Sequence, residues 1–324
     1  MSETSFIKKC IREEMEAFEP FFKARLKTKI PLLDIITTYL LRRKGKQMRP
    51  MLVFLSAKLN GTVCESTYVA ASLIEILHTA TLIHDDVVDE TYQRRGFFSI
   101  NALWKSKIAV LVGDYFLSKG LLTALDANET GILKIVSEAV REMSEGELLQ
   151  IEKSRKLNIT EEIYFEVIGK KTASLLASCT AAGAHSVKAD EETIAKMKEF
   201  GQNLGIAFQI RDDLFDFEQS GLIGKPTGND IKEKKLTLPL IYVLNQSNPG
   251  EKRQLLSTIR KHHRNDKKVQ EIIKTVIDKG GMEYAREKMN DYANRAKDIL
   301  NQYPESDVRK AMEMLVDYTI NRKK

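Results

Sequence analysis

Cysteine, proline and glycine are scarce in this chain. The three cysteines in 324 residues, Cys10, Cys64 and Cys179, are scattered and form no CxxC pair. That pattern excludes a disulfide-stapled scaffold and a zinc ribbon, and it points to a reducing, cytoplasmic setting. Only 7 prolines and 17 glycines punctuate the sequence, too few for a fold built from many turns. No run of ~18 uninterrupted apolar residues occurs, so no membrane span is expected. No alternating apolar and polar stretch is convincing, and no hairpin signal joins two such runs. A P-loop, GxxxxGK followed by Ser or Thr, is absent. So is any recognised nucleic-acid motif; the lysine-rich Asn321-Arg322-Lys323-Lys324 is too short to argue for one. The opening segment MSETSFIKKCIREEMEAF carries acids throughout and reads as an amphipathic helix, not a signal or transit peptide.

What is present is helical periodicity. Hydrophobic residues make up 43% and charged residues 30%, a balance that fits a soluble globular protein. Residues 64–90 place Val69, Leu73, Ile76, Leu77, Ala80 and Ile83 at 3–4 spacing. Residues 129–153 repeat the pattern with Ile132, Ile135, Val136, Val140, Met143 and Leu148, and the stretches 160–184 and 190–219 follow suit. The chain reads as all-α. Residues 91–99 and 220–235 are short breaks. The more polar last third follows no Pro/Gly/Ser-rich linker, so residues 1–324 are expected to form one domain. The net charge of +6 is modest and suits polyanionic small molecules.

Two aspartate clusters of one design stand out: Asp85-Asp86-Val87-Val88-Asp89 and Asp212-Asp213-Leu214-Phe215-Asp216. Each puts carboxylates at i, i+1 and i+4 inside an apolar helical stretch, where i and i+4 share a face ~5.4 Å apart. Acids this close repel and should not all ionise beside apolar neighbours. Hard divalent cations resolve the conflict, and oxygen-only ligands suit Mg²⁺, which keeps positions open for substrate phosphates. One copy alone also describes an acidic helix end. Two copies with matching flanks point to metal ions clamping a diphosphate.

Basic groups surround the acids in sequence. Gly45-Lys46-Gln47-Met48-Arg49-Pro50 precedes an apolar run. Pro50 fits the first helical position, which would set Lys46 and Arg49 beside free N–H groups as an anion site, or simply as a basic loop. Arg94 and Arg95 follow Asp89, and Arg suits bidentate phosphate contacts. His78, seven residues before Asp85, is either near the same face or a buried structural histidine. Lys171, in Lys170-Lys171-Thr172-Ala173, either enters a cavity or snorkels to water. Gln209, one turn before Asp212, can aim a carbonyl dipole into the space between the acidic helices. The turn Gly224-Lys225-Pro226-Thr227-Gly228-Asn229-Asp230, with Lys235 beyond it, is either a lid over a phosphate or a solvated basic turn.

In family order, GKQMRP, HTATLIHDDVVDETYQRRG, GDYFLSKG, KTASLLASC, FQIRDDLFDF and GKPTGNDIKEKKLTLPL resemble the trans-isoprenyl diphosphate synthases, most closely the long-chain polyprenyl branch. The resemblance is strong over roughly residues 30–245. It implies helices around a deep central cavity, the isoprenoid synthase fold, usually as a homodimer. It implies head-to-tail addition of isopentenyl diphosphate to an allylic diphosphate with Mg²⁺, about three ions per site. Carried over, Asp85, Asp86, Asp89, Asp212, Asp213 and Asp216 hold the metals. Arg94, Lys171, Lys225 and Lys235 contact the allylic diphosphate. Lys46, Arg49, His78 and Arg95 bind isopentenyl diphosphate, and Thr172 and Gln209 face the developing carbocation.

The resemblance also implies a tail pocket running down the helix that bears the first cluster. Small residues, Ala80 and Thr81, stand where short-chain members tend to place an aromatic. Leu77 is next down, and Leu133 and Val136 of a facing helix are candidates for the floor. The expected product is heptaprenyl to nonaprenyl, with a farnesyl or geranylgeranyl enzyme as the alternative. A terpene cyclase would not need the isopentenyl site. A di-iron bundle would want Glu-x-x-His ligands. A non-catalytic subunit of a heteromeric synthase typically loses one aspartate cluster, and this chain keeps both.

Overall fold

A computed structural model describes residues 3–42, 47–94, 96–218 and 227–322; of Glu3, Thr4 and Arg94 only the backbone is described. Lys46, Arg95 and Lys225 lie outside the described residues. Helices dominate, as the periodicity predicts. In chain order they begin with α1 (Glu3–Cys10), α2 (Arg12–Arg25), α3 (Pro31–Leu41), α4 (Met48–Asn60) and α5 (Glu65–Val88). A small antiparallel ribbon follows, β1 (Gln93–Arg94) and β2 (Phe97–Phe98), with Gln93 opposite Phe98. The sequence carries no hairpin signal for it, because two-residue strands are too short to alternate. The middle of the chain forms α6 (Ile100–Asp126), α7 (Thr130–Lys156), α8 (Glu161–Ile168), a π-helical turn (Gly169–Ala173), α9 (Ser174–Ser186) and α10 (Glu191–Phe215). Then come α11 (Asn229–Lys232), α12 (Leu238–Gln246), α13 (Pro249–His262), α14 (Asp266–Asp278), α15 (Gly281–Leu300) and α16 (Asp307–Asn321).

Local chemistry explains many of these boundaries. Ser99 starts α6 by accepting from the Ala102 N–H at 3.0 Å. Thr160 starts α8 by accepting from Ile163 N at 3.3 Å, and Asn248 and Asn265 cap α13 and α14 in the same way. α4 starts at Met48, so Pro50 is its third residue and not its first. The reason is unchanged, since a first-turn N–H has no intrahelical partner. α6 is kinked where Lys105 leaves helical geometry at φ 66°, ψ 162°.

The chain divides into two compact units. Unit 1 comprises Met1–Val140, Ser178–Lys198 and Ser306–Ala311; unit 2 comprises Arg141–Ala177, Glu199–Glu305 and Met312–Lys324. In unit 1, α5 packs on α4 and α6. The stripe Val69, Leu73, Ile76, Leu77, Ala80 and Ile83 is buried as its spacing predicts. Each large member contributes about 1.5–3 kcal/mol through burial. Phe18 meets Phe22 and Phe54 at 5.3 and 5.7 Å between ring centroids, sealing α2 onto this layer. In unit 2, α12 packs on α15, with Tyr242 stacked on Tyr284 at 4.3 Å. α5 and α6 are long and apolar enough to cross a membrane, although neither contains the uninterrupted run sought in the sequence. In this fold 61% of the apolar window of α5 is buried, and 39% of that of α6.

Candidate active site

The stretch 160–184 is not one regular helix. At Gly169–Ala173 it widens into a π-turn that carries Lys171 and Thr172. Such turns insert an extra residue and re-aim side chains, often at functional sites. Two glycines of unit 2 let neighbouring helices close on it. A Cβ at Gly146 of α7 would lie 2.8 Å from Lys171 N, and a Cβ at Gly205 of α10 would lie 2.5 Å from Ala173 Cα. The close approach of α10 brings Gln209, one turn past Gly205, to Thr172. That of α7 brings Gln150, one turn past Gly146, to Lys171.

The polar contacts follow from that packing. The Thr172 hydroxyl donates to Gln209 Oε1 at 2.7 Å, and Gln209 Nε2 donates to Asp213 Oδ1 at 2.8 Å. The Tyr164 hydroxyl of α8 donates to Asp213 Oδ2 at 2.6 Å. The Gln209 carbonyl, which the sequence suggests can point into the space between the acidic helices, is therefore taken by Thr172. The Lys171 ammonium pairs with Glu147 and lies 3.4 Å from Gln150 Oε1. Gln150, Tyr164, Lys171, Thr172, Gln209 and Asp213 line a cavity of about 110 Å³ within unit 2, which Asp230, Lys235 and Thr237 also border. The Thr237 hydroxyl is buried there with no hydrogen-bond partner among the described residues.

Asp213 and Asp230 share this cavity, and both carboxyls are pushed above the ordinary carboxylate range. Burial is the main cause for each. Asp213 and Asp216 repel Asp230, while Tyr164, Gln209 and Lys235 oppose the rise at Asp213. Asp216 accepts the backbone N–H groups of Asn229 and Asp230, one per oxygen, at 2.9 and 3.0 Å. That ties the segment bearing Asp230 and Lys235 to the end of α10. The Lys235 ammonium meets Glu233 at 2.5 Å. Asp212, with a side chain 40% exposed, meets the Arg322 guanidinium at 2.5 Å.

The first cluster belongs to unit 1. Asp85, Asp86 and Asp89 finish α5, with Asp89 N donating to Asp85 O at 2.8 Å. Asp85 is half-buried, Asp86 buried and Asp89 exposed. His78 lies two turns earlier, half-buried, and the Thr81 hydroxyl donates to its carbonyl at 2.9 Å. Arg49 is half-buried in the first turn of α4, and Arg94 lies in β1. Ala80 is only 1% exposed, Leu77 and Val136 are buried, and Thr81 and Leu133 are half-buried. Leu77 packs at the face of Gly120 on α6.

Both clusters suit a divalent cation on electrostatic grounds. Each gathers three carboxylates at a helix C-terminus, with no basic residue in the last turn of either α5 or α10. That is the negative end of the helix dipole, where an anion is destabilised by about 0.3–1 kcal/mol. Among the described residues, no three such ligands converge into a closed cage. Magnesium bound here would take one or two carboxylates and complete its shell with water and phosphate oxygens.

The chain matches the polyprenyl synthetase description over residues 30–276. It belongs to that family. The all-trans-nonaprenyl-diphosphate synthase (geranyl-diphosphate specific) of Rhodobacter capsulatus is 33% identical over 316 residues, covering 96% of each chain. A geranylgeranyl pyrophosphate synthase structure from Bacteroides thetaiotaomicron is 38% identical, with TM-score 0.85, covering 99% of this chain and 100% of that one. A Caulobacter crescentus polyprenyl synthase complexed with calcium and isoprenyl diphosphate is 30% identical, with TM-score 0.90, covering 99% and 98%. The fold class read from the sequence is that of these enzymes.

Within this family setting, four residues near the sites escaped the sequence reading: Gln150, Tyr164, Asp230 and Arg322. Asp230 was visible only as part of a turn motif. Tyr164 and Gln150 sit on amphipathic helices where nothing marks them. Arg322 belongs to a basic stretch, 321–324, too short to mark a site.

Proposed function

We propose that this member of the family adds isopentenyl diphosphate head to tail to an allylic diphosphate, using magnesium, to make an all-trans polyprenyl diphosphate. The observation that carries the reading is the Thr172–Gln209–Asp213 hydrogen-bond chain beside Lys171 and Lys235 in one cavity. Breaking the allylic C–O bond separates an allyl cation from a diphosphate anion. Lys171 and Lys235, with Arg94 and Lys225, bind the anion as charge develops on it. Thr172 faces the cation with its hydroxyl oxygen, and Gln209, whose carbonyl accepts the Thr172 proton, keeps that oxygen turned toward it. Lys46, Arg49, His78 and Arg95 hold and orient isopentenyl diphosphate, which turns a bimolecular encounter into a positioned one. Magnesium, when bound by Asp85, Asp86, Asp89, Asp212, Asp213 and Asp216, supplies Lewis-acid stabilisation of the leaving diphosphate. The proton lost in the last step goes to the released diphosphate, the usual candidate in the family.

The chain acts as one catalytic domain and as a homodimer. The apolar face that α6 leaves in solvent supports the second point: Leu103, Val110, Leu111, Leu122 and Leu125 are each at least 40% exposed. A patch of this kind on one helix suits a second copy. Small side chains at Ala80 and Thr81 support a heptaprenyl to nonaprenyl product. The relatives named above range from a geranylgeranyl to a nonaprenyl synthase, so product length is measured directly.

The test is incubation of the purified chain with labelled isopentenyl diphosphate, an allylic primer and magnesium, then chromatography of the dephosphorylated products. Long-chain products that vanish with chelator and return with magnesium are expected. No incorporation with any primer would overturn the synthase reading. Products ending at farnesyl or geranylgeranyl would overturn only the assigned length.

A further inference from the structure

We infer that Tyr164 is a positioning residue that sets the direction of the hydrogen bonds running from Asp213 through Gln209 to Thr172. The inference rests on the synthase reading above. An ionised carboxylate, the form that a bound metal requires, only accepts hydrogen bonds. Asp213 receives one donor on each oxygen, Tyr164 Oη at 2.6 Å and Gln209 Nε2 at 2.8 Å. With Asp213 as acceptor, Gln209 must turn its amino group toward it. The amide carbonyl then faces Thr172, whose hydroxyl must donate, and does so at 2.7 Å. The hydroxyl proton is thereby spoken for, and the lone pairs of Thr172 are what remain for the cavity. Lone pairs stabilise a positive carbon; a proton aimed the same way would repel it.

Tyr164 is built to hold its end of the chain. It is 4% exposed, it packs edge-on against Phe165, and its helix starts from the Thr160 cap one turn away. Its phenol enters the cavity wall at the one oxygen of Asp213 that Gln209 leaves open. Without that hydroxyl, Asp213 is anchored through a single oxygen and can turn about its Cβ–Cγ bond. Gln209 then loses the fixed partner that orients its amide, and Thr172 loses the acceptor that orients its hydroxyl. Tyr164 touches no substrate in this scheme; it acts through Asp213 and Gln209.

Tyr164→Phe keeps the ring and removes only the donor. The expected result is a kcat lowered by about 10- to 100-fold, the range for losing a group that acts through a ligand rather than on the substrate. KM for both diphosphates should stay within about threefold, as for an interaction made mainly in the transition state. Calorimetric affinity for inorganic diphosphate with magnesium should also stay within about threefold. The decisive comparison is a double-mutant cycle. In a Thr172→Val background, where no hydroxyl is left to orient, Tyr164→Phe should cause no further loss of kcat. Multiplying losses, or a loss confined to KM or to diphosphate affinity, would overturn the inference. Should Tyr164→Phe fail to fold, Gln209→Met cuts the same chain at its middle link and carries the same cycle. Wild-type protein inactive with every primer would instead defeat the synthase reading itself.

Discussion

Arg322 grips Asp212, the first aspartate of the second cluster: its Nη2 lies 2.5 Å from Asp212 Oδ1. The guanidinium is held in place from several sides. It donates to Phe208 O at 3.3 Å and stacks over the Phe208 ring at 3.9 Å, while Arg211 donates to the Arg322 carbonyl at 3.1 Å. A permanent cation thus occupies one oxygen of a carboxylate proposed to bind magnesium. The Arg322 side chain is only 17% exposed, and even in water-like surroundings a unit charge a few Å away is worth about 1 kcal/mol, or about fivefold in affinity. Arg322→Gln is therefore expected to lower the magnesium concentration that half-stabilises the protein in thermal melts by about fivefold. An unchanged or higher midpoint would mean that the guanidinium does not compete with the metal.

The buried carboxyls Asp213 and Asp230 predict how stability depends on pH. Both titrate higher in the folded protein than an ordinary carboxylate, mainly through burial. Between the unfolded and folded values the native state holds more protons, so stability falls as pH rises through that window. Metal-free protein should accordingly melt at a lower temperature at about pH 8 than at about pH 5. Added magnesium should recover more at the higher pH, because it binds ionised carboxylates, Asp213 among them, and releases protons. Asp230→Asn removes one of the two buried titrating groups and should make the slope shallower, leaving the part due to Asp213. A slope unchanged in this variant would take Asp230 out of the pH dependence.

What could be read from the sequence was what one helix determines by itself. The buried stripe of α5 follows from 3–4 spacing, and the two aspartate clusters are visible because acids at i, i+1 and i+4 conflict with their apolar settings. What could not be read depends on contacts between distant segments. Nothing near residue 170 announces a π-turn, since it is wedged between Gly146 and Gly205 from two other helices. The pairing of Tyr164 with Asp213 spans 49 residues, and that of Asp212 with Arg322 spans 110. The basic Arg322 stretch looked uninformative because its partner is a packed carboxylate and not a polyanion.

Separate diphosphate sites predict separable kinetic defects. His78→Ala and Arg95→Ala should mainly raise KM for isopentenyl diphosphate. Lys235→Ala and Lys225→Ala should mainly impair use of the allylic primer, since each removes a ground-state phosphate contact at one site only. Steady-state kinetics with each substrate varied in turn distinguishes the two. The same defect toward both substrates in all four variants would merge the sites.

The ruler is tested at the turn before Asp85. Ala80 is enclosed at 1% exposure, whereas Thr81 is half-buried with its hydroxyl on the His78 carbonyl. An aromatic at Ala80 has to displace packed neighbours, a cost of about 1–3 kcal/mol. At Thr81 it meets more open surroundings, so Thr81→Phe is the cleaner probe. It should stay folded and active while shortening the product to farnesyl or geranylgeranyl length, because the ring fills the space that later isoprene units need. Ala80→Phe should shorten the product too, with a lower melting temperature. Val136→Ala or Leu133→Ala, which open the proposed floor, should lengthen the product or leave it unchanged. Product length has to be read at a fixed substrate ratio, since excess isopentenyl diphosphate alone can lengthen chains. An active Thr81→Phe enzyme that still makes the wild-type product would show that the growing tail does not run down α5.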